Sequence, residues 1–192
     1  MRRLSVKEVI MHFKRRYSLF YLYGWLMIIG FVFVLLFAAF FEYIRAFFFI
    51  VAFVIIGGYS MIYQRVIRWS LGVELIFTGT VLCSIAYGPL AGATVGFVGL
   101  LLGEILSMKI CPQTMISFLA IIIVGVLSHY IYSGSVFTTG IIMLLFYNAM
   151  IVPLYYMIGS NPVKLFAFSS THIIFHFWMF KHIAPLILLI MK

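Results

Sequence analysis

Acidic residues are scarce in this 192-residue chain: four stand against thirteen lysines and arginines. Charged residues of all kinds make up 9%, while hydrophobic ones reach 66%. Soluble domains hold roughly a quarter charged residues and about half apolar ones, so a water-soluble core does not account for this composition. Polar sequence long enough to form a separate soluble domain is also missing. With about 20 apolar residues needed per crossing, the expectation is an all-α integral membrane protein, a bundle of about seven (six to seven) transmembrane helices.

Other absences narrow the function. The two cysteines, Cys83 in an apolar run and Cys111 in a turn, have neither a disulfide framework nor a metal-ligand spacing. No Walker A loop is present, so the chain carries no ATP site of that type. Ser169 and Ser170 precede His172, but no acid lies near them in sequence to orient a histidine base. The expectation is therefore a protein that is not an enzyme, with no catalytic residue, no cofactor and no metal.

What is present is a formal charge of +9, distributed as topology signals. The basic residues do not form an aromatic-interleaved face, so nucleic acid is not an expected partner. Arg2, Arg3, Lys7, Lys14, Arg15 and Arg16 fill residues 1–16, read as a basic cytoplasmic juxtamembrane tail on anionic lipid. Residues 17–192 form a single polytopic transmembrane domain. Its apolar runs fall near 20–41, 46–63, 71–87, 89–107, 115–132, 136–157 and 165–190, with turns expected at 42–45, 65–68, 88–89, 109–113, 133–135 and 159–164. Basic groups recur after every second run: the tail, Arg65 with Arg68, Lys109, then Lys164. That alternation predicts a multi-pass protein of the cell membrane with its N-terminus in the cytoplasm. Gly57 and Gly58 mark a kink or a partial insertion in the second run.

Small residues concentrate in one segment. Gly88, Gly92, Gly96, Gly99 and Gly103 recur every three to four positions, which puts them on one helix face as a packing seam. The stretch Tyr87-Gly-Pro-Leu-Ala-Gly-Ala-Thr-Val-Gly-Phe-Val-Gly-Leu-Leu-Leu-Gly-Glu104 resembles the glycine-rich helical hairpin of the substrate-binding S components of energy-coupling factor (ECF) transporters. It is also similar to the corresponding region of MreD-type cell-shape proteins. The likeness extends over about 46–190 and implies an S-component-like fold. An S component implies a small-molecule solute, a transmembrane coupling subunit and separate ATPases as partners; an MreD-like protein implies a scaffold without transport. S components have six spans and an Ala-x-x-x-Ala pair in the first helices, and this chain has neither six runs nor that pair.

Polar residues within apolar runs are the remaining signal, because a charge or imidazole at membrane depth is costly unless paired or facing a wet cavity. His172 and His176 are four apart and so face one way on successive turns of the last run. Asn148 with Tyr147 on the preceding run are expected partners. Glu74 lies a turn beyond Arg68, and Glu104 near Lys109, where an ion pair is expected. The expected solute-binding residues are Glu74, Asn148, His172, His176 and Trp178, acting by hydrogen bonding or stacking.

Overall fold

A computed structural model describes residues 6–67 and 71–192, with the side chains of 6–20 and 39 left undescribed. Arg2, Arg3 and Arg68 lie outside the described residues, as do the side chains of Lys7, Lys14, Arg15 and Arg16, so the reading of the tail rests on sequence.

Among the described residues, seven helices follow in order: α1 Val6–Ser60, α2 Ile76–Tyr87, α3 Pro89–Ser107, α4 Pro112–Ile131, α5 Val136–Met157, α6 Pro162–His182 and α7 Ala184–Met191, with a short 3-10 turn Ile62–Arg65 after α1. The chain forms two compact units, Met1–Ile44 and Arg45–Lys192. The first contains an apolar stretch, Tyr21–Ala38, long enough to cross a bilayer. Residues 42–45 are helical rather than a turn. Gly57 and Gly58 likewise lie within helix and do not break it: a Cβ on Gly57 would sit 2.9 Å from Cγ1 of Ile76, and one on Gly58 2.7 Å from Leu102. They are close-packing positions.

Among the described residues, five stretches are long and apolar enough to span a membrane, or six if α6 and α7, bent by 52°, count as one. The bend falls at Ile183, between the two helices, and Pro185 in the first turn of α7 has no amide hydrogen to continue the helical ladder across it. The expected crossing at 71–87 is replaced by a non-helical segment at 71–75 and the twelve-residue α2. At 1.5 Å per residue α2 is about 18 Å long, well short of a hydrocarbon core of about 30 Å.

The reason α2 can be short is that it lies inside the second unit. Everything from Ile76 to Ile85 is buried, and α3, α4, α5, α6 and α7 all contact it. A helix apolar on every side is a buried helix. Its hydroxyls find backbone partners within the unit: Thr80 donates to the Ile76 carbonyl of its own helix at 2.8 Å, and Ser84 to the Gly125 carbonyl of α4 at 2.5 Å.

Helix ends follow the sequence closely. Gly88, at φ 98°, makes the corner between α2 and α3, a backbone state in which a Cβ is strained, and Pro89 starts α3 where no amide donor is needed. Asn161 caps α6 by accepting from the Val163 amide at 2.9 Å, and Ser135 caps α5 by accepting from the Thr138 amide at 3.2 Å.

The glycine face of α3 closes mainly on the chain itself. A Cβ on Gly92 would lie 2.8 Å from the Thr80 carbonyl and 2.9 Å from that of Gly125; one on Gly96 would lie 2.9 Å from Cγ1 of Ile121. On α4, a Cβ on Gly125 would meet the Gly92 carbonyl carbon at 2.7 Å. The two backbones therefore cross in contact, the arrangement that small residues permit when no hydrophobic drive brings helices together in lipid. Gly103 packs against Met61, whereas Gly99 has ordinary clearance at 3.5 Å and Gly88 has no neighbour within 4 Å. Gly88 is thus a turn residue and not part of the seam.

Polarity in the second unit runs from inside outward. Thr78, Thr80, Ser84, Asn148, His172 and His176 are buried, while Leu90, Phe97, Ile105, Leu119, Leu145 and Ile174 cover outward faces. An apolar exterior around a polar interior is what a lipid solvent selects. Three basic residues gather at one end of this unit: Arg65 donates from Nε to the Leu106 carbonyl, Lys109 from Nζ to the Ile67 carbonyl at 3.4 Å, and Lys164 shares a cavity rim with Lys109, whereas Lys192 lies over the Tyr132 ring at the turn between α4 and α5.

Candidate functional site

The segment 71–75 is pinned into the second unit at three places. The Tyr63 hydroxyl donates to the Leu71 carbonyl, the Gly72 amide donates to Oγ1 of Thr171 at 3.0 Å, and the Leu75 amide to Oγ of Ser60 at 3.0 Å. Gly72 is required because a Cβ there would lie 2.7 Å from Cα of His172. This close approach of loop to helix carries Glu74 inward until its Oε1 lies 4.0 Å from Nε2 of His172.

His172 is oriented by a short polar chain. Ser169 donates to Oδ1 of Asn148 at 3.0 Å, and Nδ2 of Asn148 donates to the Leu144 carbonyl at 2.8 Å. The same Nδ2 lies 3.1 Å from Nδ1 of His172. Since the Asn148 amide nitrogen is a donor only, Nδ1 of a neutral His172 accepts and the ring proton sits on Nε2, facing Glu74. Phe168 stacks on the His172 ring at 5.3 Å and 14°, and Phe77 meets it edge-on at 5.3 Å. His176 follows one turn later, its ring 4.4 Å from that of His172 and its Nδ1 3.0 Å from Oγ1 of Thr78.

Glu74, Asn148, His172 and His176 are thus brought together. Trp178 is not. Six residues past His172, it lies off the shared helix face, is 51% exposed and packs against His182 at 5.9 Å. The expected stacking role for Trp178 therefore falls away for want of a neighbour in the cluster.

In front of this cluster is a cavity of about 510 Å³. Glu74 is the residue of the cluster that reaches it; His172, His176 and Asn148 stand behind. Its walls come from the 3-10 turn, α3, α4, α5 and α6, with Glu104, Ser117, Tyr147, Tyr155 and Phe168 among them, and Lys109 in the loop after α3 and Lys164 in the first turn of α6 stand at its rim. Ser117 and Tyr155 share a hydrogen bond of 2.5 Å across α4 and α5. Glu104 and Lys109 do not form the expected ion pair: among the described residues no Lys or Arg nitrogen comes within 4.0 Å of Glu104 or Glu74, and Oε2 of Glu104 is buried with no hydrogen-bond partner. At the rim, burial holds the Lys109 ammonium below the usual lysine range, with the Glu104 carboxylate opposing that shift.

Tyr155 and Ser117 were not legible as site residues. Tyr147, Ile151 and Tyr155 recur every fourth position of α5 and share its inner face, a signal masked by the abundance of aromatic residues in this chain. Among the described residues, no three His, Cys, Asp or Glu side chains come together as a metal site. No known protein family, curated protein or solved structure matches the chain.

Proposed function

We propose that this multi-pass membrane protein binds a small solute in the cavity fronted by Glu74, and that it serves solute uptake in the manner of an S component, with separate coupling and ATP-hydrolysing subunits supplying energy. The observation that carries this reading is the cavity itself. Its volume of about 510 Å³ lies in the range of small-molecule sites, and its wall combines apolar surface with a few convergent polar groups, as such sites do.

A scaffold of the MreD kind needs no such cavity, and it would offer its glycine face to a partner. Here Gly92 and Gly96 already close on the chain's own α2 and α4, which favours the solute reading. The same proposal includes the cell membrane and a cytoplasmic N-terminus. By the positive-inside tendency, the rim lysines Lys109 and Lys164 make the mouth of the cavity cytoplasmic, the side on which an uptake protein releases its solute.

The test is thermal stability of the purified protein in detergent against vitamins, nucleobases, amino acids and divalent metals, because a ligand that binds only the folded state raises Tm. A concentration-dependent rise with one chemical class supports solute binding. No rise with any class, in a protein that is folded and monodisperse, assigns the chain to the scaffold.

A further inference from the structure

The cavity is asymmetric in charge. Among the described residues, the Asp, Glu, Lys or Arg side chains buried in its wall are both carboxyls: Glu74 is 7% exposed and Glu104 is 9% exposed. The two lysines belong to the rim, where Lys164 is exposed and Lys109 directs its Nζ to the Ile67 carbonyl at 3.4 Å. Neither carboxyl has a basic side-chain nitrogen of Lys or Arg within 4.0 Å among the described residues, and Oε2 of Glu104 is buried without a hydrogen-bond partner. The neighbour of Glu74 is the Nε2 face of His172 at 4.0 Å, which the Ser169–Asn148 chain holds as a neutral donor.

Two carboxyls lining one low-dielectric cavity are costly as ions unless a cation accompanies them, the alternative being protonation to the neutral acid. The remaining wall fits that cation to an organic body. Tyr147, Tyr155 and Phe168 bring aromatic surface, which attracts positive charge at the ring faces. A volume of about 510 Å³ exceeds what one dehydrated metal ion fills, and although Cys111 also lines the cavity, no three His, Cys, Asp or Glu side chains come together among the described residues.

We infer that the cavity takes a small organic cation, a protonated amine or amidine, with its N–H groups toward Glu74 and Glu104 and its carbon body against Tyr147 and Phe168. This rests on the solute-binding reading and adds the charge class of the solute. His172 is a positioning residue in this arrangement: its Nε2 faces Oε1 of Glu74 at 4.0 Å, beyond hydrogen-bond reach, so it aims the carboxyl without occupying either oxygen.

The experiment compares size-matched probes on the full chain in detergent: benzylamine and benzamidine as cations, benzyl alcohol as the neutral compound and benzoate as the anion, read by Tm and by equilibrium binding. The two cations are expected to raise Tm with concentration while benzyl alcohol and benzoate do not. Glu74→Gln and Glu104→Gln, each checked for folding by gel filtration and circular dichroism, are expected to weaken cation binding by about tenfold or more, the loss of one charge-assisted contact. If either variant does not fold, the cation, neutral and anion comparison on the unaltered chain decides alone. Equal stabilisation by benzyl alcohol or benzoate, or full retention of the cation effect in both folded variants, overturns the inference. A shift from a neutral or anionic solute of the wider panel, with none from the cations, overturns it too and leaves solute binding standing. Silence from every compound removes both.

Discussion

Nε2 of His172 on α6 faces Oε1 of Glu74 at 4.0 Å, and the contact exists because Gly72 lets the loop before α2 touch the backbone of that helix. The loop, the glycine and the histidine form one device. Several outcomes follow from disturbing its parts.

Gly72→Ala adds a methyl that meets Cα of His172 at 2.7 Å. The loop must retreat, since the obstacle is backbone. A loss of about 1–3 kcal/mol is expected, typical of overpacking, seen as a lower Tm in detergent. Any solute-induced rise in Tm should fall at the same time, because Glu74 moves with the loop.

Asn148→Ala removes the acceptor for Ser169 and the donor to His172 together. It should cost about 1–3 kcal/mol, as buried groups lose their partners. Ser169→Ala removes one link at the partly buried end of the chain and should cost about 1 kcal/mol. The comparison is made by denaturant titration in mixed micelles. A Ser169 variant weaker than the Asn148 variant would contradict the order of this chain.

Gly92→Leu and Gly125→Leu each force side chain into a backbone crossing and should prevent recovery of a monodisperse protein, whereas Gly99→Ala, with 3.5 Å of clearance to Ile76, should leave stability within about 0.5 kcal/mol of the parent. Size-exclusion profiles and melting curves of the three variants separate these outcomes. Tolerance of leucine at Gly92 would mean that α3 and α4 do not cross there.

Trp178→Ala should leave solute stabilisation unchanged, because this side chain is half exposed and contacts His182 rather than the cluster. Loss of the solute effect in this variant alone would place the binding site on the outer face of α6.

The limits of α3 and α5 were legible from sequence at the residue level, since each is bounded by a turn with chemistry of its own: Gly88 with Pro89, and Gly134 with the Ser135 cap. The run 71–87 misled because a buried short helix and a membrane span share the same apolar composition, and length alone, spoiled by Gly72 and the inserted loop, tells them apart. The pairing of His172 with Asn148 was legible because helical spacing puts polar groups of the last two long helices on inward faces. The isolation of Trp178 was less evident, as an aromatic residue near a histidine pair looks like a stacking partner until its angle around the helix is counted.

Glu104 shows the other limit. Proximity to Lys109 in sequence predicts an ion pair, yet Lys109 lies past the left-handed Met108 that ends α3, and its Nζ turns to the Ile67 carbonyl. Five residues of separation across a helix end carry no fixed geometry.

Composition by itself determined that this chain belongs in lipid and folds as helices, because a bilayer offers the backbone no other partners, and spacing determined which glycines and histidines share a face. Only the tertiary structure decided that α2 is enclosed, that Glu74 reaches His172 and that two carboxyls line one cavity, since those contacts join segments far apart in sequence and depend on how closely Gly72, Gly92 and Gly125 let backbones approach.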